Sequence, residues 1–419
     1  MDISLGEYGW LVSSAATRWL DWAWDELAAR GPSLDAGGRL RSLAAELVKT
    51  LRKDLSPVRA HLVAEQAELR WRAQARFPEA RRLFFTRQGL EQATESSLAQ
   101  FKACRFAARP AFDLCCGVGG DLVALARQAS RVVGIERDPV VVLLAQANLE
   151  LLGLGDRARV EVGDVAGVRL ARAVAWHCDP DRRAAGRRTT QPDQSEPSLE
   201  RLAAFRNLSP EAAIKLACAA QLPPDWQSQT EWHWLGSRGE CRQLVIWSGA
   251  LARWPGRRVV TLVEANQPPY TVVEDAPQSP PTCDQPQAWL FEPHPAIRAA
   301  GLGATLALRH GLSLLEGSGR FLTGPRWLAE PALTAYELVE VLPWDVRQVR
   351  AYCRQRGIAH LEIKAAGSGV DPARLARQLA APGEMAATLI LVRLDGRWRA
   401  LVVQRCDRPR SCQVASPAG

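Results

Sequence analysis

Short apolar runs alternate with helical stretches between residues 111 and 179, and this alternation limits the possible folds more than any other feature of the 419-residue sequence. The apolar runs are AFDLCC, RVVGIE, RVEVGD and RAVAWHCD. The first three are separated by DLVALARQA and VVVLLAQANLELLG, which have the pattern of helices. Strands that alternate with helices are typical of βαβ units, so the sequence predicts an α/β fold built on a doubly wound, Rossmann-like parallel sheet.

The residues before this sheet have a helical pattern and no strand alternation. The segment WLVSSAATRWLDWAWDELAARG is followed by GRLRSLAAELVKTLR and VRAHLVAEQAELRWRAQARF, each with apolar residues at intervals of three and four. We therefore expect a helical N-terminal domain over residues 1–108. In the first helix we expect one apolar face, made by Leu11, Ala15, Trp19, Trp22 and Leu27.

The sheet domain is predicted over residues 109–275. It is followed by EANQPPYTVVEDAPQSPPTCDQPQ, a segment rich in Pro, Gln and Asp, which predicts an exposed linker. Beyond it, strand and helix patterns alternate and end in a two-strand hairpin, ATLILVRLDG with RALVVQRC. We predict a small C-terminal α/β domain over 286–408 and a flexible tail over 409–419.

Composition narrows the possible partners and compartment. The chain has 53 basic and 45 acidic residues, and its net charge of +8 suits an anionic partner such as nucleic acid. The start of the chain lacks a basic n-region, and no apolar run reaches about 18 residues, so we expect a cytoplasmic protein without a membrane segment. The ten cysteines form no CxxC pair and no histidine stands at zinc-ligand spacing, so we expect neither a disulfide framework nor a metal site.

The stretch FDLCCGVGGD predicts a ligand-binding turn between a strand and a helix. Glycines there let a ligand approach the backbone. Glu136 ends the second strand, where a carboxylate can accept both ribose hydroxyls, and Asp164 follows the third, where it can accept an adenine amino group. Asp121 puts negative charge where a dinucleotide would place its pyrophosphate, which favours a ligand with a cationic amino-acid end. S-adenosylmethionine is such a ligand.

With these motifs, the sequence resembles the class I S-adenosylmethionine-dependent methyltransferases. DLCCGVGGD is similar to the glycine turn of trimethylguanosine-synthase-like enzymes and of a bacterial group that adds a C-terminal THUMP-like domain. The motifs FFTRQGLEQAT, DLCCGVGGD, DP followed by RR, AAIKLA, FEPHPAIRA, YELVEVLP and LEIKAAGSGVDP occur in the order expected for that group, over about three quarters of the chain.

The resemblance implies a role for most of the candidate cofactor residues. Asp113 and the backbone of Gly117 and Gly119 would hold the methionine part of S-adenosylmethionine. Glu136 and Asp164 would hold the ribose and the adenine, as their positions already indicate. The upstream motif FFTRQGLEQAT would lie across the cofactor through Gln92 and Thr94.

The resemblance also implies a catalytic corner at Asp179 and Pro180, which end the fourth strand. Amino-methylating relatives have Asp or Asn followed by two prolines and an aromatic residue, and the side-chain oxygen accepts hydrogen bonds from the target amino group. This chain keeps Asp and Pro but continues with Asp181 and Arg182, so the second proline and the aromatic residue that would stack on a base are absent.

A cluster of arginines follows this corner. The four side chains could grip RNA phosphates beside the transfer site, or belong to a solvated loop: Arg182, Arg183, Arg187 and Arg188. The helix DVRQVRAYCRQRG likewise places Arg347, Arg350 and Arg354 along one face.

THUMP domains in related modification enzymes bind RNA. The sequence therefore predicts a methyltransferase enzyme that methylates a base nitrogen in RNA, with tRNA or rRNA as partner. Two alternatives remain open, a non-catalytic RNA-binding protein that retains a cofactor pocket and a methyltransferase for a small molecule or a protein.

Overall fold

The computed structural model of the chain describes residues 3–30, 38–170, 174–181, 183–184, 187–188, 191–275, 279–365 and 369–406. Helices are concentrated before the first strand and recur between strands. Their bounds are α1 (Leu5–Val12), α2 (Ser14–Ala29), α3 (Gly38–Leu51), α4 (Pro57–Ala73), α5 (Arg87–Gln92), α6 (Ser96–Ala103), α7 (Gly120–Gln128), α8 (Pro139–Leu151), α9 (Leu199–Leu208), α10 (Pro224–Gln229), α11 (Pro295–Ala300), α12 (Gly303–His310), α13 (Val346–Gln355) and α14 (Pro372–Leu379).

The strands belong to two large sheets and one short ribbon. Their bounds are β1 (Pro110–Leu114), β2 (Arg131–Glu136), β3 (Ala158–Val162), β4 (Ala175–Cys178), β5 (Arg183–Ala184), β6 (Arg187–Arg188), β7 (Ala212–Leu216), β8 (Glu231–Ser237), β9 (Glu240–Trp247), β10 (Arg258–Leu262), β11 (Tyr270–Val273), β12 (Thr282–Cys283), β13 (Trp289–Pro293), β14 (Ser313–Leu315), β15 (Leu322–Gly324), β16 (Leu333–Pro343), β17 (Ile358–Lys364), β18 (Met385–Leu394) and β19 (Arg397–Arg405).

The chain divides into two compact units. The first contains Met1–His233, Gln243–Arg257 and Val263–Pro268, and the second contains the remaining segments. The predicted domain limits of 1–108, 109–275, 286–408 and 409–419 stay predictions, and residues 409–419 lie outside the described part of the chain.

The first sheet confirms the predicted doubly wound arrangement. Its parallel strands follow the order β7-β4-β1-β2-β3, with β9 antiparallel beside β7. Strand order reverses between β1 and β4, and such a switch point is where doubly wound sheets bind ligands.

The N-terminal helices pack around one apolar core, as the helical pattern predicts. Leu20, Leu27, Leu47 and Leu62 are buried together with Leu144 of α8. This packing joins the helical layer to the sheet within the first unit, because α8 is the crossover between β2 and β3.

The predicted face of the first helix is correct at Leu11 and Leu27, which are buried, but not at all five positions. The helix is interrupted at Ser13, whose hydroxyl donates to the carbonyl of Trp10 at 2.7 Å, and a second helix, α2, begins at Ser14. Ala15 is exposed, and Trp19 and Trp22 are half-buried. The residues that α2 buries are Ala16, Leu20, Ala23, Trp24 and Leu27. A single helical period counted across the break cannot give this register.

The predicted linker is also wrong in part, because two of its segments are strands. Tyr270–Val273 pairs antiparallel with β10, and Thr282–Cys283 pairs parallel with β14. Residues 276–278 lie outside the described part of the chain. The run TVV inside this proline-rich segment has strand propensity, and neighbouring strands supply the hydrogen bonds that local composition does not reveal.

The second sheet has eight strands in the order β12-β14-β15-β13-β16-β19-β18-β17. Its last four strands, with α13 and α14, give the predicted succession of strand, helix, strand, helix and hairpin. Val349 and Cys353 of α13 and Leu375 and Leu379 of α14 pack with Leu389 of β18 in one core. The opposite side of α13 carries Arg347, Arg350 and Arg354, all exposed.

Candidate active site

The carboxyl ends of β1, β2 and β4 meet at one edge of the first sheet. Leu114 of β1 lies opposite Ile135 of β2 and Cys178 of β4 in the strand register. Glu136 and Asp179 therefore both stand one residue beyond the level of Leu114, one on each side of the turn that follows β1. These predicted site residues come together at the switch point of the sheet.

The glycine turn has a backbone conformation that requires glycine. Gly117 and Gly119 have φ angles of +54° and +93°, a region that residues with a Cβ rarely adopt. Helix α7 then begins at Gly120 without a side-chain cap. The first N–H groups of an uncapped helix are donors that a ligand can use.

Glu136 holds the end of β2 against this turn. Its carboxylate accepts hydrogen bonds from the backbone N–H groups of Gly117 at 3.2 Å, Arg137 at 2.8 Å and Asp138 at 3.1 Å. The predicted ribose acceptor and the predicted methionine-binding turn are thus in direct contact.

Asp164 lies at the same edge of the sheet, two residues beyond β3, but apart from this contact. Its exposed carboxylate accepts the backbone N–H of Ala166 at 2.8 Å and caps a short 3₁₀ turn. Among the described residues, no hydrogen bond or ion pair joins Asp164 to the other predicted site residues.

Asp113 is buried in β1 and paired with a histidine. Its Oδ1 lies 2.7 Å from Nδ1 of His177, and each side chain is 1 % exposed. Burial raises the pKa of Asp113, and the nearby His177 offsets part of this effect. Its buried Oδ2 has no hydrogen-bond partner among the described residues. A buried acceptor of this kind fits the ammonium group of a methionine-like ligand.

Asp121, the first acidic residue of α7, is engaged on both oxygens. Oδ1 lies 2.7 Å from Nζ of Lys102, and Oδ2 accepts the hydroxyl of Thr94 at 2.7 Å. Burial opposes ionisation of Asp121, but the charges of Lys102, His177 and Lys215 hold its pKa well below the usual range. The predicted residues Asp121 and Thr94 are therefore in contact, and Asp121 is bound by groups of the protein.

The predicted catalytic corner carries a lysine partner. Oδ2 of Asp179 lies 2.5 Å from Nζ of Lys215, which also donates to Oγ1 of Thr94 at 3.0 Å. The Asp179 side chain is 24 % exposed, so it stays accessible from the crevice, whereas Pro180 is buried. Thr94 thus connects Asp121 with the lysine that holds Asp179.

The arginines after the corner are described only in part. Arg182 lies outside the described residues. The backbone of Arg183–Ala184 pairs antiparallel with that of Arg187–Arg188, which makes a short two-stranded ribbon directly after the corner.

Asp181 faces the upstream motif. Its carboxylate accepts the amide of Gln92 at 3.2 Å, and its backbone pairs with Glu196. Asp181 therefore ties the corner to the segment that contains Thr94.

Lys102, Lys215 and His177 were not among the site residues predicted from the sequence. Nζ of Lys102 lies 3.3 Å from Nε2 of His177, and both side chains pair with the buried aspartates 113 and 121. Thr94 connects Lys215 to this buried polar cluster. A signal existed for Lys215, because AAIKLA places a lysine inside an otherwise apolar strand, and a buried lysine needs a partner.

Within the ranges given above, no group of three or more His, Cys, Asp or Glu side chains is arranged to hold a metal ion. In the same ranges, every helix is too short or too polar to cross a bilayer.

Comparisons with known proteins agree with this geometry. Residues 108–191 match the family described as RNA cap guanine-N2 methyltransferase, and residues 333–405 match the family described as THUMP domain-like. The first match spans the glycine turn and the Asp179 corner, and the second spans β16 to β19 with α13 and α14.

Individual proteins extend the similarity over most of the chain. An uncharacterized S-adenosylmethionine-dependent methyltransferase of Mycobacterium tuberculosis (strain H37Rv) is 29 % identical over 330 residues, which cover 78 % of this chain and 88 % of the relative. A shorter match, 41 % identical over 58 residues, covers 14 % of this chain and 13 % of a 23S rRNA (uracil-C5)-methyltransferase of Acidithiobacillus ferrooxidans.

A crystal structure from Porphyromonas gingivalis W83, described as that of a methyltransferase, superposes with a TM-score of 0.70. It shares 22 % identity and covers 88 % of this chain and 96 % of its own, and it therefore supports the fold. With the family matches and the mycobacterial relative, the chain is identified as an S-adenosylmethionine-dependent methyltransferase that carries a THUMP-like domain.

Proposed function

We propose that this methyltransferase transfers a methyl group to a base nitrogen of RNA, with tRNA or rRNA as the substrate class, at the corner formed by Asp179 and Pro180. One observation carries the proposal. Asp179 follows β4 directly, and β4 lies beside β1, whose end carries the glycine turn. An acceptor on the target amino group and the methyl donor would then meet at one edge of the sheet.

We assign the cofactor to the residues around the turn. The orphaned Oδ2 of Asp113 and the backbone at Gly117 and Gly119 would hold the methionine end, with Asp121 and Thr94 behind them. Glu136 would accept the ribose hydroxyls, and Asp164 would accept the adenine amino group. When bound, S-adenosylmethionine supplies a methyl group that is already activated on a sulfonium.

The protein's part in the reaction is then to place and orient the acceptor. Asp179 accepts hydrogen bonds from the target amino group and so orients the lone pair of the target nitrogen towards the methyl carbon. The Asp179 carboxylate would be the first acceptor of the proton that the target nitrogen gives up once it is methylated.

RNA is the substrate favoured by two independent matches. The family over residues 108–191 is described by an RNA cap activity, and the THUMP-like match over 333–405 belongs to a domain class that occurs in RNA-modifying enzymes. The net charge of +8 agrees with a polyanionic partner. We assign Arg182, Arg183, Arg187 and Arg188 to phosphate contacts beside the corner, and we expect the protein to act in the cytoplasm.

Methyl transfer from labelled S-adenosylmethionine tests the proposal. The protein is incubated with separate pools of size-fractionated cellular RNA, protein and small metabolites, and label is counted in each. We expect label in RNA with the wild-type chain and with Asp156→Ala, which changes an exposed loop carboxylate, and a much lower rate of labelling with Asp179→Ala.

The other outcomes identify the competing functions. Label in the protein or metabolite pool means that the substrate is a protein or a small molecule and that RNA is not the substrate. S-adenosylhomocysteine binding without transfer to any pool means that the chain is an RNA-binding or regulatory protein that retains a cofactor pocket.

A further inference from the structure

Lys215 is a buried lysine in the middle of an apolar strand. Every residue of β7 is buried, and Lys215 itself is 8 % exposed. An ammonium group in such surroundings is strongly unfavourable unless its three donors are bound. Its partners are therefore informative about why a lysine occupies this position.

The three partners of Lys215 come from two other segments of the site. Nζ lies 2.5 Å from Oδ2 of Asp179, 3.0 Å from Oγ1 of Thr94 and 3.3 Å from the carbonyl oxygen of Gln92. An ammonium has three N–H donors, so each donor has one acceptor and the group has a fixed orientation.

This pairing distinguishes the two oxygens of Asp179. Oδ2 is occupied by Lys215, whereas Oδ1 has no hydrogen-bond partner among the described residues. Oδ1 is thus the oxygen left to accept a donor from the crevice. A carboxylate without the lysine would rotate about χ2, since that torsion is broad in aspartate.

The same lysine fixes the segment that precedes the sheet. Thr94 accepts from Lys215 and donates its own hydroxyl to Asp121 at 2.7 Å. The start of α7 approaches this segment closely, because a Cβ on Gly120 would come within 3.1 Å of the Thr94 nitrogen. The Gln92 to Thr94 segment is therefore held from both sides.

We propose that Lys215 is a positioning residue for methyl transfer, which orients Asp179 so that Oδ1 faces the target nitrogen and fixes the Gln92 to Thr94 segment beside it. This inference rests on the proposed function of Asp179. Lys215 acts through these neighbours, and loss of its charge displaces the acceptor oxygen while the glycine turn and Glu136 remain in place.

A double-mutant cycle tests the proposal on the RNA fraction that the wild-type chain labels. In single-turnover transfer, Lys215→Met should lower the rate about 10²-fold, the effect expected from a misplaced reacting group. Its affinity for S-adenosylhomocysteine should fall far less than the transfer rate, because the lost contact to Asp179 serves the transition state, whereas Asp113 and Glu136 keep their own contacts. Lys215→Gln retains N–H donors and should lose less.

The double variant Lys215→Met with Asp179→Ala should have a transfer rate within about threefold of that of Asp179→Ala alone. Lys215 and Asp179 act as one unit, so the second change has little left to remove. Multiplied losses would overturn the proposal, because they mean that Lys215 acts independently of Asp179. A Lys215→Met chain with wild-type transfer would overturn it as well.

Amide hydrogen exchange tests the positioning without any substrate. Lys215→Met should speed exchange over residues 86–95, whereas Lys364→Met, which removes a half-buried lysine–carboxylate pair in the second unit, should leave these residues unchanged. Unchanged exchange in Lys215→Met contradicts the proposal whatever the transfer result. If the wild-type chain labels no RNA, the proposed function is refuted. The exchange result then still tests whether Lys215 fixes the segment from Gln92 to Thr94.

Discussion

The ammonium of Lys102 lies 2.7 Å from Oδ1 of Asp121, and the two side chains are 2 % and 8 % exposed. This ion pair joins α6, which precedes the sheet, to the first turn of α7, which follows the glycine turn. Because both charges are out of water, each depends on the other for compensation. The pair therefore links the upstream helix α6 to the edge of the sheet where we propose that the cofactor binds.

We predict that Lys102→Met destabilises the protein by about 3–5 kcal/mol, since it leaves the Asp121 carboxylate buried without its cation. Urea unfolding followed by tryptophan fluorescence measures the change. The matched control is Arg159→Ala, which breaks an exposed pair with Glu161 and should cost about 0–1 kcal/mol. Adding Asp121→Asn to Lys102→Met should recover most of the loss. Equal losses in Lys102→Met and the control would contradict this account.

A second buried pair predicts a pH dependence of stability. Glu231 is fully buried and bound to Arg105 at 2.7 Å. Burial opposes its ionisation, but His233 and Arg105 lower the pKa of Glu231 to about 2. The folded carboxyl thus holds its proton less tightly than the unfolded one, so its contribution is complete above pH 4.5 and is lost as the pH falls towards 2.

Glu231→Gln removes this titration. At pH 7 the variant should be less stable than wild type, and the difference should narrow by up to about 3 kcal/mol between pH 5 and pH 2, as the wild-type carboxyl becomes protonated. Unfolding free energies across this range give the test, with the exposed Glu240→Gln as control. A difference that stays constant with pH rules out the lowered pKa.

The parts of the fold that local patterns determine were predictable. Alternating strands and helices between residues 111 and 179 gave the parallel sheet, and the same logic gave the strand and helix order from β16 to β19. The exposure of Ala15 was not predictable, because a hydrogen bond at Ser13 interrupts the helical period. Strand β11 was hidden in a proline-rich segment because its partner, β10, supplies the stabilising hydrogen bonds.

The site shows the same division between local and long-range information. Glu136 is the last residue of β2 and the glycine turn follows β1, and apolar runs in the sequence predict both strand ends. The partners of Asp179 and Asp121 come from residues far away in the chain, with Lys215 36 residues from Asp179 and 121 from Thr94. No period or turn signal encodes such pairs, since they depend on how β7 and α6 are placed by the completed sheet.

Glu136 provides a direct test of the cofactor assignment. We predict that Glu136→Ala raises the dissociation constant for S-adenosylhomocysteine about 10²-fold, because it removes charge-assisted hydrogen bonds to the ribose and frees the backbone N–H of Gly117. Isothermal titration calorimetry gives the affinity, and thermal melting checks that the variant is folded. Glu161→Ala, at an exposed position in β3, should bind as wild type does. An unchanged affinity of Glu136→Ala for S-adenosylhomocysteine would mean that the cofactor does not bind at the end of β2.

The exposed face of α13 predicts how RNA affinity depends on salt. Arg347, Arg350 and Arg354 lie opposite the buried Val349 and Cys353. Each phosphate contact contributes about 0.7–0.9 to the slope of log affinity against log salt concentration. Replacing the three arginines with glutamine should weaken binding of the RNA fraction that the protein labels and reduce this slope by about 2.

Fluorescence anisotropy at several salt concentrations measures both effects. The control replaces Lys49, Arg52 and Lys53, three exposed basic residues at the end of α3 and just after it, with glutamine, so that the net charge falls by the same amount. If both triple variants lose affinity equally, the RNA responds to total charge and α13 is no specific contact. If only the α13 variant loses affinity and keeps its affinity for S-adenosylhomocysteine, the THUMP-like part delivers the RNA through this face, because the cofactor site is then unaffected.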